Sequence, residues 1–345
     1  MYPSSVCSLA PTLFLGLLIS PMASAAETSS GTLTFYLEND SVADTDGNYT
    51  NGAKISWSSP DLQQLGDSPY ARPFLPLFDI IPYINQKDYQ KNLVFSLGQN
   101  IYTPINTAAS VLVKDDRPYA GWLYLGLGVV WKDAKVRNSL TLDIGVVGPW
   151  SLAEQAQGLV HDTMGIDSPR GWDNQLDNEL AFTLGYERTW RWPAHERRSG
   201  LDWELLPDAG IDLGTVKTAA KLGSELRFGV NLPDDFGTGA ISTGATTSTP
   251  VDGAQGAIRP RFDLGFYLFA RVDGSAVARN IFLDGNTFSD SHSVGHKIFV
   301  ADLSVGAAVN YKNTKLAYAV VYRTKEFDEQ DKAETFGTLS LNWTY

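Results

Sequence analysis

Three stretches of the 345-residue chain concentrate side chains able to do chemistry. The first runs Glu38-Asn39-Asp40, followed by Thr45-Asp46-Gly47-Asn48-Tyr49-Thr50-Asn51-Gly52. Carboxylate and amide oxygens packed this densely suit a hard cation such as calcium. The spacing is not that of an EF-hand, and an Asx-rich turn uses the same residue types, so both readings stand. The second stretch, Lys114-Asp115-Asp116-Arg117-Pro118-Tyr119-Ala120-Gly121-Trp122, sets an acidic pair beside basic side chains and reads first as a salt bridge. The third holds His161. Ser151-Leu152-Ala153-Glu154 fits an S-x-x-E capping box, and residues 152–164 lack proline, so a helix carrying His161 is predicted there. Gly171-Trp172-Asp173-Asn174-Gln175 follows it. A histidine in a partly polar crevice can act as a general base near neutral pH, although a lone loop histidine is more often decorative. His292 and His296 are four apart, but Ser293-Val294-Gly295 between them opposes a helix and with it a metal pair. No G-x-S-x-G elbow is present, so a serine nucleophile has no motif behind it.

The elements that must position these clusters alternate with period two. Leu33/Phe35/Leu37, Ala53/Ile55/Trp57, Leu93/Phe95/Leu97, Leu123/Leu125/Leu127/Val129 and Leu140/Leu142/Ile144/Val146 are apolar on one face. So are Leu180/Phe182/Leu184/Tyr186, weaker runs near 201–213 and 216–230, Phe262/Leu264/Phe266/Leu268, and Phe299/Ala301/Leu303/Val305. Leu316/Tyr318/Val320/Tyr322 and Leu339/Leu341/Trp343/Tyr345 complete about twelve segments of about ten residues. A soluble sandwich and a membrane barrel both satisfy the alternation. The intervening residues favour the barrel: Glu38, Lys54, Asp143, Glu187, Asp263, Asp302 and Arg323, with many glycines, suit a crowded polar lumen. The expected fold is therefore all-β, a transmembrane antiparallel β-barrel of about twelve strands with a short helix in an extracellular loop. Strand parity places the gaps 39–49, 99–119, 148–178, 214–216, 271–295 and 324–335 outside the cell. It puts the Pro-rich stretch 60–90 and the Gly/Ser/Thr-rich stretch 231–258 in the periplasm, long for periplasmic connections.

Composition points the same way. With 39 acidic and 27 basic residues the net charge is −12, which repels phosphate backbones and argues against nucleic-acid binding. Only 19% of residues are charged while 31 are glycine and 12% aromatic, unlike a soluble enzyme. Residues 9–19 are apolar and Ala23-Ser24-Ala25 follows, so residues 1–25 are expected to be a signal peptide and 26–345 the barrel. Cys7, the only cysteine, would leave with that segment.

Taken in order and spacing, the stretches at 38–40, 49–52, 116–121, 145–149, around His161, 171–175 and 279–288 resemble the LpxR-type outer-membrane lipid A 3′-O-deacylases. The resemblance runs from about residue 31 to the C-terminus. It implies a twelve-stranded barrel in the outer membrane and a calcium-dependent ester hydrolase that removes the 3′-linked acyloxyacyl group from lipid A of lipopolysaccharide. Carried over by position, His161 would activate water, Asn39 and Asp40 would form the metal and oxyanion site, and Thr50 would line it. Asp167 stands where the family has a glutamate. Lys114 and Arg117 are candidates for substrate phosphate. The active site would lie on the outer wall at the lipid boundary, with the His161 helix packed against that wall. The expected partners are lipid A and outer-membrane lipids, with no nucleic acid, and the chain is expected to be a monomer. A non-catalytic barrel (a pore or surface-binding protein) and a phospholipase using the same site are the alternatives. Because lipid A is itself anionic, a chain of charge −12 needs a bound cation to attract it, which gives calcium a second motive.

Overall fold

The computed structural model describes residues 31–39, 48–78, 81, 84, 89–193, 200–238 and 264–345. The expected signal peptide, Cys7, Asp40 and Asp263 lie outside the described residues. Twelve antiparallel strands close into one barrel in sequence order. They are β1 (Thr32–Asn39), β2 (Asn48–Ser58), β3 (Gln90–Thr103), β4 (Ala120–Lys132), β5 (Val136–Val147) and β6 (Glu179–Trp190). The second half comprises β7 (Leu201–Gly214), β8 (Lys217–Val230), β9 (Leu264–Asn280), β10 (Phe299–Tyr311), β11 (Thr314–Arg323) and β12 (Glu334–Thr344). Closure is made by β1 on β12, with Thr32 opposite Thr344 and Leu37 opposite Leu339. Closure matters because no backbone donor or acceptor can be left bare in hydrocarbon. Three short helices interrupt the connections: α1 (Leu75–Phe78), α2 (Ala153–Met164) and α3 (Ile281–Asp284).

The alternation sorts as a membrane barrel requires. Outward Leu125, Leu180 and Leu222 are 67–70% exposed, whereas the inward charges Glu38, Lys54, Asp143 and Glu187 are buried. Many inward ions are paired. Arg323 spans both oxygens of Asp302 at 2.8 Å each, and Arg137 meets Glu187 at 3.1 Å. Strand β9 continues to Asn280, about ten residues past the apolar run that announced it; the outward positions there include the small Ala270, Gly274 and Ala276, while inward Phe269 and Val277 are apolar, which blurs the alternation. Trp57, Trp190, Trp203, Tyr311, Trp343 and Tyr345 stand near the rim that holds both barrel termini, forming the aromatic girdle expected at a membrane interface. No helix among the described residues is long and apolar enough to cross a membrane.

The lumen is filled near both rims. At the rim bearing α2 and α3, Phe282 of α3 stacks on Tyr102 at 4.0 Å, and Trp122 stacks on Tyr124 at 4.1 Å. Arg117, fully buried, reaches Glu326 at 2.7 Å and lies over the rings of Tyr102 and Phe327. At the opposite rim residues 232–238 turn into the barrel. Asp235 accepts from Arg227 at 2.6 Å and Lys315 at 2.7 Å, while Thr238 donates to Glu225 at 2.7 Å. The periplasmic connection that looked over-long therefore begins as a lumen plug.

Burial raises the Glu326 carboxyl, but the Arg117 and Arg323 guanidinium groups outweigh it and hold the group below its ordinary value. A depressed carboxylate contributes stability that is complete above its unfolded pKa and fades as pH falls through the folded value. Removing one partner of a buried pair strands the other, so Glu326→Ala is expected to destabilise the barrel by about 3 kcal/mol at neutral pH. Urea unfolding in lipid vesicles should show that difference shrinking as the wild type is acidified below the usual carboxylate range.

Candidate functional site

The candidate site is built on the outer wall at the α2 rim. Register brings Asn39, Asn51, Ile101 and Gly121 into one lateral row across β1, β2, β3 and β4. All four face outward, because each shares phase with the lipid-facing residues of its strand. Adjacent strands lie about 4.8 Å apart, so the row spans roughly 15 Å. Helix α2 packs over the β3–β4 end of this row, leaving β1 and β2 beside it.

Glycine is what lets the helix approach. A Cβ on Gly121 would come within 2.1 Å of Ser151 Oγ and 2.2 Å of Ala153 Cβ, so no larger residue fits beneath the helix start. Ile101, Tyr119, Ala153 and Trp172 form a small apolar core under the helix, and Gln99 donates to the Ser151 carbonyl at 2.6 Å. The expected helix is present, but its capping box is not. Ser151 donates its hydroxyl to the Gly148 carbonyl at 2.6 Å instead of capping, and Leu152 precedes the helix in a left-handed conformation with φ 58°. Pro149–Ser151 forms a one-turn helix first, and that turn consumes the hydroxyl.

Ala153, Gln157 and His161 recur every four residues and form the buried face of α2. His161 is 6% exposed, and its Nδ1 lies 2.8 Å from the Asp167 carbonyl oxygen. A carbonyl only accepts, so Nδ1 carries the proton and Nε2 keeps a lone pair, the tautomer a general base needs. One turn earlier Gln157 Oε1 accepts from Trp172 Nε1 at 3.0 Å. Since the indole only donates, the amide orientation is fixed, and Gln157 Nε2 is left buried with no hydrogen-bond partner. The Asn51 carbonyl oxygen is likewise buried and unpartnered. Orphaned polar atoms of this kind ask for a ligand, an ion or water.

Of the residues expected at the site, the structure places Asn39 and His161 on the same outer wall. Asp40 and the Thr50 side chain lie outside the described residues. Asp167 contributes its backbone carbonyl to His161, and its side chain is exposed. Lys114 is exposed on the loop between β3 and β4, which packs beside α2 through Arg170 N–H to Thr107 O at 2.9 Å. Arg117 does not belong to this wall. It is fully buried and ion-paired in the lumen with Glu326, a carboxylate outside the cluster's own acidic pair, so its guanidinium is turned away from any phosphate on the outer wall. In the same cluster, burial pushes the Asp116 carboxyl above its ordinary value, opposed by backbone N–H groups of Ile105 and Arg117. His292 and His296 go separate ways: His292 meets the Asp116 carbonyl at 2.8 Å and His296 the Asp284 carboxylate at 2.5 Å. Gln157 and Asn51 were not singled out from the sequence. The i−4 spacing to His161 could have found the first; only strand register reveals the second. No cluster of three His, Cys, Asp or Glu side chains occurs among the described residues, so a cation here would rely on amide oxygens together with Asp40.

The close helix-to-wall approach makes Gly121 a test of the architecture. Gly121→Val is expected to lift α2 and abolish the function of the site, while heat-modifiable migration on a gel shows the barrel still closed.

The sequence profile of the family described as "Outer membrane protein LpxR" matches residues 12–345. Among solved structures, LpxR from Salmonella typhimurium superposes with a TM-score of 0.70 at 20% identity, covering 91% of this chain and all of that one. The β-domain of the Bordetella autotransporter BrkA gives a TM-score of 0.43 at 10% identity, covering 92% and 99%. No curated protein matches the sequence significantly. At these identities the structural likeness is one of fold, an outer-membrane β-barrel. The profile match over nearly the whole chain shows that this protein belongs to the LpxR family of outer-membrane proteins.

Proposed function

We propose that this barrel is a lipid A deacylase, an ester hydrolase that releases the 3′-linked acyloxyacyl group with calcium as its cofactor. The observation that carries the reading is His161, buried on the outer wall with Nδ1 tied to a carbonyl and Nε2 left basic. Water bound at Nε2 gives up a proton as it attacks the ester carbonyl carbon. The imidazolium then returns that proton to the leaving alkoxide oxygen as the ester C–O bond breaks. No covalent intermediate is required, which suits a site with no serine nucleophile motif. Gln157 offers its free amide protons to an oxygen of the bound substrate. Asn39, Asn51 and, from the sequence, Asp40 are the residues that would hold the cation; the orphaned Asn51 oxygen fits a hard ion. A divalent cation bound there supplies positive charge beside the ester carbonyl oxygen. Lys114, exposed on the neighbouring loop, is the remaining candidate for a substrate phosphate.

A passive pore fits the same strand pattern less well. The Phe282–Tyr102 stack near one rim and the Asp235 plug near the other occupy the lumen a pore would keep open. A phospholipase using the same crevice remains the second enzymatic reading, since the base and cation chemistry would be shared.

Mass spectrometry of lipid A from cells carrying wild type should show loss of the 3′-acyloxyacyl mass, and His161→Ala should restore the full-mass species. Unchanged lipid A with correctly assembled wild type sinks the assignment, and fatty acid released from glycerophospholipids instead would replace it. Calcium chelation should abolish turnover by the purified protein, and calcium alone should restore it. Asn51→Ala should raise the calcium concentration for half-maximal activity by at least about tenfold, the scale on which even outer-sphere ligand partners act.

A further inference from the structure

The connection between β2 and β3 is placed where a lipid-contacting element would be. Leu65, Ala71, Phe78 and Ile84 from this segment pack on Leu93, Val129 and Trp131. Those three belong to the outward phase of β3 and β4, the phase that elsewhere meets lipid. The segment therefore lies against the outside of the barrel, not beneath its mouth. Outward Lys91 confirms the side: it is 1% exposed, and its ammonium donates to the carbonyls of Gln63 and Tyr89 at 2.9 and 3.0 Å. The outward column of β4 is covered by α2 at Gly121, bare at Leu125, and covered by this segment at Val129 and Trp131.

What the segment presents outward is mixed, with Tyr70 and three prolines beside the polar Gln63, Gln64, Asp67 and Arg72, a composition suited to a headgroup region and not to the hydrocarbon core. Tyr70 is 58% exposed and continues the girdle, edge-on to Trp57 at 5.9 Å, while Trp57 in turn donates to Tyr345 at 2.8 Å. Pro69, Pro73 and Pro76 are exposed and carry no N–H. The N–H groups of Asp67, Ser68, Ala71 and Phe74 are satisfied within the segment's own turns. Backbone this self-sufficient can enter a lipid interface without stranding polar groups. Arg72 is exposed, donates through Nε to the Gly66 carbonyl and has no ion pair among the described residues, so its terminal nitrogens are free for a phosphate.

We infer that residues 60–78 form a foot embedded in the headgroup region of the periplasmic leaflet, with glycerophospholipid as its partner and Arg72 on a lipid phosphate. The continuity of Tyr70 with the girdle and of the covered column with bare Leu125 selects lipid as the occupant.

The test places a single nitroxide at Tyr70→Cys in a Cys7→Ala background, with the protein in vesicles of phosphatidylethanolamine and phosphatidylglycerol. Leu125→Cys and Lys135→Cys provide the lipid and water references. The ratio of oxygen to nickel-chelate accessibility at position 70 should fall between the references and several-fold above the value at 135. Adding Arg72→Glu should move it toward the water reference. A ratio equal to that at 135 overturns the foot. Low accessibility to both reagents also overturns it, because protein would then cover the surface. An unchanged ratio with Arg72→Glu overturns the phosphate contact.

Discussion

The whole architecture rests on the requirement that hydrocarbon leave no backbone group unpaired. Twelve strands meet it by closing, and closure then dictates where everything else can go. Charge is driven inward, where Arg191, Arg227 and Lys315 neutralise Glu204, Glu225 and Asp235 at close range. The outer surface is left to leucine, phenylalanine and valine, except where a connection folds back to cover it. Polar function on the outer wall is possible only under such a cover, and α2 supplies one.

That constraint also explains how a helix comes to carry the candidate base. An isolated twelve-residue helix is marginal in water. Here the small residues Gly121 and Ala153 let it settle onto the sheet, and the Trp172 indole fixes Gln157. The Asp167 carbonyl, just past the helix end, orients His161. Position, tautomer and burial of the imidazole thus come from backbone and packing, with no carboxylate partner on its Nδ1.

The fold was largely legible in the sequence because lipid enforces strict alternation, and the segments at Leu33, Leu93, Leu123 and Leu316 all became strands. Legibility failed where the outward positions are small and inward ones apolar, as at Ala270, Gly274 and Ala276 against Phe269 and Val277 in the second half of β9. It failed again where a side chain had two uses. Ser151 had the spacing of a helix cap but is spent on the Gly148 carbonyl, and Arg117 stood in a motif beside the site but closes the lumen. His161 and Asn39 were readable as types in order, and their sharing of one outer wall was expected. The row across β1 to β4 that carries it was not, since it is a property of register, and Asn51 gains its meaning only within that row.

The outer wall beside α2 continues sideways into bare Leu97 and Leu125. A membrane lipid, the substrate proposed for this site, would arrive from there without leaving the membrane plane or being desolvated from water. Its capture is a two-dimensional search in which areal density replaces bulk concentration, and orientation is already set by the bilayer. Tight binding is then unnecessary. The proposed turnover would then be governed by the fluidity of the surrounding leaflet, so stiffening the outer surface would slow it without touching one residue of the protein.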